Sequence, residues 1–261
     1  MKQKTKSRIA LSLAAILTTG AISAICTMYA MTDRATNFDP APQQIHQTQQ
    51  TQQRQEEAAD EDESVFRAID WDYWQNVNPN VKGWINIPGT NIDYPIVQAS
   101  ESNPTYYLTH DIYGSYNYHG IPYLSYHCSQ DGLLGSKNTL IFGHSLLDGT
   151  MFSQLTNFID ASYAAEHSHI IIQTPEVNAT LTVLAVDRVN ANNEAATLDF
   201  ADEAAFKEWL TNTVNNADLT LASINDLEQL TKVVTLCTCS YSTWNNERTL
   251  VICSVNPKEV N

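Results

Sequence analysis

The chain has 261 residues, a formal net charge of −15 and five cysteines. So acidic a balance argues against nucleic acid or an anionic surface as partner, because both would repel it. The length suits one large domain or two small ones.

The first forty residues are not domain material. Residues 1–8, "MKQKTKSR", carry four positive charges and no acid. They precede "IALSLAAILTTGAISAICTMYAM", 23 uncharged and mainly apolar residues from Ile9 to Met31. As a helix rising about 1.5 Å per residue, that run matches a hydrocarbon core of about 30 Å. A cleaved signal, the alternative, has an apolar region of about 7–15 residues. The span therefore reads as a transmembrane signal-anchor. The positive-inside rule puts residues 1–8 in the cytoplasm and the rest outside the cell. Removing the four N-terminal positive charges takes the outer part from −15 to −19, since residues 1–31 contain no Asp or Glu.

Residues 32–63 include "APQQIHQTQQTQQRQEEAADEDE", Gln-rich and then acidic, with Ile45 its one large apolar residue. Such a composition cannot offset chain entropy by burial and reads as a flexible stalk. The folded part is expected over 64–261. "SVFRAIDWDYWQNVNPN" spaces Phe66, Ile69, Tyr73 and Val77 as an amphipathic helix ending before Pro79. Strand-like runs follow: "GWINI", "IDYPIVQ", "YYLTH", "IPYLSY" and "NTLIFGH". "GTMFSQLTNF" reads as a short helix, "HIIIQT" and "ATLTVLAVDRV" as strands. "DEAAFKEWLTNTVNNA" is a helix with Phe206, Trp209, Leu210 and Thr213 on one face. "KVVTLCTC" and "RTLVICSV" are the last two strands. Many strands and few helices predict a mainly β fold, an antiparallel barrel or sandwich.

Cys237 and Cys239 lie two apart on a strand, where Cα atoms are about 6.6 Å from each other with side chains parallel. A disulfide needs Cβ atoms at roughly 3.5–4.5 Å, so the pair is unsuited to one. C-x-C is not the usual zinc spacing either, and no second pair accompanies it. Asn245-Asn246 is turn chemistry, so the last two strands read as a hairpin. Cys239 ends one arm and Arg248 begins the other. A thiol beside a permanent cation favours the thiolate and stabilises a nearby oxyanion. His144 follows an apolar strand and a Gly, a loop position from which an imidazole reaches a cleft.

"TLCTC" with an Arg nine residues on, together with "NTLIFGHSLLDGTMF", resembles the signature segments of the sortases, surface-protein transpeptidases of Gram-positive bacteria. "VKGWINIPGTNIDYPIVQASESNPTYYLTHD" and the helix-bearing insertion at 200–217 are similar to class B. The resemblance runs from about residue 65 to the C-terminus. It implies a closed eight-stranded sortase-type β-barrel with peripheral helices, one N-terminal and one in the insertion. It further implies Cys239 as nucleophile, His144 as acid/base and Arg248 as oxyanion stabiliser. Asn103, Phe142, Cys237 and Thr238 match substrate-binding positions. Two departures touch the groove: Cys237 stands where class B often has Ser, and Ser240 where an acid is common.

The function so implied is a membrane-anchored cysteine transpeptidase. It would cleave a Thr-containing, C-terminal sorting signal of secreted proteins through a thioester. The acyl group would pass to an amine of a peptidoglycan precursor or to a pilin lysine. No residue found requires a metal or an organic cofactor. A pilin-polymerising sortase, a hydrolytic cysteine protease and a non-catalytic extracellular binding module are the alternatives, and strand geometry disfavours a redox protein using Cys237 with Cys239. Cys128 and Cys253 read as small buried hydrophobes, with a bridge between them left open. His46 belongs to the stalk, His167 and His169 read as surface, and His110, His119 and His127 lie near apparent strand ends.

Overall fold

The computed structural model describes residues 38–41, 65–192, 196–243 and 245–255, with Thr27 and Ala30 as isolated helical positions. Helix α1 (Trp71–Val77) begins where the Asp70 carboxylate caps it, accepting from the Tyr73 N–H at 2.9 Å. Phe66 and Ile69 precede that cap, so the helix is shorter than its apolar spacing predicts. Nine strands follow among the described residues: β1 (Val81–Asn86), β2 (Asp93–Gln98), β3 (Tyr123–Leu124), β4 (Asn138–Phe142), β5 (His169–Gln173), β6 (Asn178–Asn190), β7 (Leu219–Thr220), β8 (Val233–Ser240) and β9 (Glu247–Val255).

Eight of them close in the order β5-β1-β2-β3-β4-β8-β9-β6, with the β5–β6 ladder shutting the ring. The two-residue β7 adds to β6. The barrel is mixed rather than antiparallel, because β2–β3 and β4–β8 run parallel. Long connections allow this: the chain has room to return and enter each pair in the same sense. Tyr106–Leu108, inside the first of those connections, is a 3-10 turn and not the strand its aromatic content suggests.

Ile85, Tyr94, Ile96, Leu124, Ile141, Phe152, Leu236 and Val251 fill the barrel. Helix α2 (Ala161–Glu166), preceded by a 3-10 stretch at Ser153–Ile159, packs against it. Helix α3 (Glu203–Asn216) starts at its Asp202 cap and buries Phe206, Leu210 and Val214 against the outside of the sheet. Helix α4 (Ile224–Leu227) supports α3 through Leu227. Strand β8 is thus covered on both faces, Val234 and Leu236 inside, Val233 and Cys237 outside. That double burial is why its sequence runs apolar without alternating. Within the segment read as a stalk, Phe38 packs edge-on against Trp74, Trp84 and Tyr94.

One expectation is corrected. Among the described residues no helix is long and apolar enough to cross a membrane, so the single-pass location, and the membrane as a partner, are not supported. Apart from Thr27 and Ala30, the span expected at 9–31 lies outside the described residues. His167 is also corrected: it is buried, its ring Nδ1 bonded to the Pro88 carbonyl at 3.0 Å, where the sequence reads as surface. Cys128, Cys237, Cys239 and Cys253 are all free thiols.

Candidate active site

The antiparallel β8–β9 register makes Cys239 the partner of Arg248 and Ser240 the partner of Glu247. On the other side of β8 the parallel ladder pairs Phe142 with Cys237. The chain leaving β4 stays stitched to β8, since the Gly143 N–H donates to the Cys237 carbonyl at 3.1 Å. The buried Thr238 hydroxyl donates to the Gly143 carbonyl at 2.9 Å. His144, the next residue, is therefore delivered beside the end of β8 although it is 95 positions from Cys239 in sequence. A cavity of about 400 Å³ contains all three expected groups, His144, Cys239 and Arg248.

Phe142, Cys237 and Thr238 line the same cavity. Asn103 does not: it is exposed, its backbone turning through a bridge with Ser100, and its neighbours Pro104 and Thr105 form the wall instead. A second cavity of about 550 Å³ lies between the sheet and α3, and it shares Phe142, Cys237 and Arg248 with the first. The two together form a groove across the outer face of β4, β8 and β9.

The imidazole of His144 is oriented by main chain. Its Nε2 sits 2.7 Å from the Leu108 carbonyl, and a carbonyl can only accept, so Nε2 carries the hydrogen. Nδ1 is then the nitrogen left for proton exchange. The following loop is closed tightly, with the Phe152 N–H on the His144 carbonyl at 2.8 Å and Ser145 bridged to Met151. Met151 holds a φ of 54°, a left-handed conformation uncommon outside glycine, and the Tyr94 hydroxyl accepts its N–H at 3.1 Å.

Arg248 donates Nη1 to the main-chain carbonyl of Glu247 at 3.0 Å. The Glu247 carboxylate turns the other way. It is buried and accepts from the Ser242 hydroxyl at 2.7 Å and the Thr243 N–H at 2.9 Å, so it pins the β8–β9 turn rather than neutralising the guanidinium. Burial opposes its charge, yet the bonds from Ser242, Ser240 and Thr243 win and hold its pKa at about 2. Cys237 behaves in the opposite way: burial, partly offset by Arg248, pushes its thiol up to about 12. Cys239 is the half-exposed one of the four described cysteines.

Two aromatic hydroxyls near the site were not singled out by sequence. Tyr123 lines the cavity, and burial together with Cys237 and Cys239 raises its pKa strongly, so it stays a neutral donor. Tyr241 is exposed, and its pKa is raised first by a side-chain hydrogen bond with Cys239. The two-residue spacing from Cys239 is the signal that points to it. Among the described residues no three His, Cys, Asp or Glu side chains gather as a metal site.

A model of the sortase domain matches residues 85–256. The chain belongs to the sortase family. Among curated relatives, the Sortase B of Listeria monocytogenes is 27% identical over 165 residues, which is 63% of this chain and 65% of that one. The Sortase B of Staphylococcus aureus is 24% identical over 169 residues, with the same coverage. The match thus spans just under two thirds of those relatives' length. Among solved structures, Clostridium perfringens sortase B superposes with a TM-score of 0.63 at 22% identity, covering 71% of this chain and 98% of that one. A Bacillus anthracis protein described as similar to sortase B gives 0.60 at 25% identity, over 70% and 81%. This sortase is similar to class B sortases, and its barrel is the barrel of those structures.

Proposed function

We propose that this sortase is a cysteine transpeptidase acting on a Thr-containing sorting signal of secreted proteins. The observation that carries the reading is the single cavity shared by Cys239, His144 and Arg248. The Cys239 thiolate attacks the carbonyl of the Thr residue, and the negative charge moves onto its oxygen, where Arg248 donates to it. Collapse breaks the C–N bond, and the departing amine takes from Nδ1 of His144 the proton that the Cys239 thiol gave up, leaving a thioester on Cys239. A primary amine then attacks that thioester, its proton passes to His144, and Cys239 leaves as thiolate. Net chemistry exchanges one amide for another. The second cavity, beneath α3, gives room for the residues that precede the Thr.

The acceptor is an amine of a cell-wall precursor. Triglycine is the first probe, since a sortase B has been solved in complex with that tripeptide. Mass spectrometry of products from a library of Thr-containing pentapeptides, with and without triglycine, tests the reading. The expected product is the acyl–triglycine adduct, absent in Cys239→Ala. Cleavage without adduct identifies a hydrolytic protease, and no cleavage identifies a binding module.

A further inference from the structure

The loop that follows His144 and the segment that supplies its carbonyl partner are tied at a second point. Asp148, four residues past His144, places Oδ2 2.8 Å from Nε2 of His119. His119 is fully buried, and Asp148 sits at the surface with its side chain 36% exposed. The other Asp148 oxygen accepts from the Thr150 N–H at 3.0 Å and the Thr150 hydroxyl at 2.6 Å, which fixes the carboxylate in its turn. Burial opposes its charge, but the bonds from Thr150 and His119 lower its pKa overall.

The histidine is equally constrained. Nδ1 of His119 lies 3.1 Å from Oδ1 of Asn117, and the same oxygen accepts the His119 backbone N–H at 3.1 Å. Both ring nitrogens therefore face acceptors. Its neighbour Gly120 passes against the backbone that holds His144. A Cβ at Gly120 would stand 2.3 Å from the Tyr107 carbonyl and 2.8 Å from that of Leu108, and φ there is +61°. The Ile121 N–H also donates to the Tyr107 carbonyl at 3.0 Å. The contacts form a circuit: His144 to Leu108, Leu108 against Gly120, His119 to Asp148, and back along four residues to His144.

We propose that the His119–Asp148 pair is a positioning device, which holds the His144 loop and the Leu108 segment at one separation and so fixes the His144 imidazole. Neither residue lines the cavity with Cys239, and the pair acts on turnover through His144 alone. The inference rests on the catalytic reading given above. Displacements on the order of 1 Å at a general acid cost up to about a hundredfold in rate. Losing either partner is expected to lower kcat about tenfold or more.

The test is a double-mutant cycle on transpeptidation, with melting temperature followed in parallel. Asp148→Ala and His119→Ala should each lower kcat with KM within about twofold, and the double variant should be no worse than the poorer single one. Asp148→Asn should recover most of the turnover. Its oxygen can keep the Thr150 bonds while its amide donates to Nε2 of His119, in the tautomer that bonds Asn117 through Nδ1–H. Because Asp148 is at the surface, its variants keep the fold and the test stands even where His119→Ala unfolds. Losses that multiply in the double variant, a loss carried by KM, or wild-type kcat in Asp148→Ala would overturn the proposal. His144→Ala separates the two readings. Inactive His144→Ala beside fully active Asp148→Ala removes the positioning role alone, whereas active His144→Ala removes the catalytic assignment and this inference with it.

Discussion

Cys239 and Arg248 are direct partners across the β8–β9 ladder, one near the end of its strand and the other near the start of the next. Directly opposed residues have Cβ atoms about 4.5–5.5 Å apart, so register alone brings the two side chains out next to each other on one face. Arg248→Ala is expected to lower kcat by about 10²–10³-fold, the range for losing one oxyanion donor. Arg248→Lys should recover part of this, since it restores charge without the planar fork. Steady-state kinetics with a fixed amine acceptor checks it; a loss confined to KM would assign Arg248 to ground-state binding instead.

The four described thiols should differ sharply in reactivity. Cys128, Cys237 and Cys253 are buried, and burial raises the pKa of each. Brief alkylation with iodoacetamide at neutral pH, followed by peptide mapping, should therefore modify Cys239 first. Cys237→Ser should keep turnover within a few fold, and Cys239→Ala should abolish it. Modification of Cys237 ahead of Cys239 would reverse the assignment.

Gly143 links β4 to His144, and a Cβ there would come within 2.5 Å of the ring of the fully buried Phe152. Gly143→Ala should destabilise the protein by about 1–3 kcal/mol, as overpacked cores do. It should also lower turnover, because Phe152 carries the N–H that closes the His144 loop. Thermal melts together with kcat check both parts.

Glu247 sets an acid limit. Its carboxyl has a pKa of about 2 in the fold against an ordinary value of 4.5. A group whose pKa is lowered by folding contributes fully above its unfolded value and loses that contribution as pH falls through the folded one. The β8–β9 turn should therefore be fully supported above about pH 4.5 and weaken progressively towards pH 2. Glu247→Gln should melt at a lower temperature at about pH 7 and show a shallower fall between pH 4.5 and 2. Equal acid slopes in the two proteins would dismiss this role for Glu247.

Much of the site could be read from the chain because its parts are close to sequence features with strict geometry. The apolar runs flanking Asn245-Asn246 read as two hairpin arms, with Cys239 ending one and Arg248 beginning the other, and the register pairs them. The alternating β6 and the Asp202-capped α3 are equally legible. What escaped is what depends on contacts between distant segments. The Leu108 carbonyl has no side-chain signature, and it lies in "YYLTH", whose aromatics suggest a strand where the chain makes a 3-10 turn. His119 reads as a residue near a strand end because its partner Asp148 is 29 positions away. The parallel pairings were missed for a related reason: the direction in which a strand returns after a long connection is decided by the whole barrel.

The β4–β8 ladder has a further consequence, for the order of events after synthesis. Asn138 meets Val233 at its start, so 95 positions of chain must be brought together before that ladder forms. Contacts so remote in sequence are slow to form during folding, because loop entropy is lost before they yield anything. The sulfur of Cys239 and the imidazole of His144, 95 positions apart, thus come together late in folding.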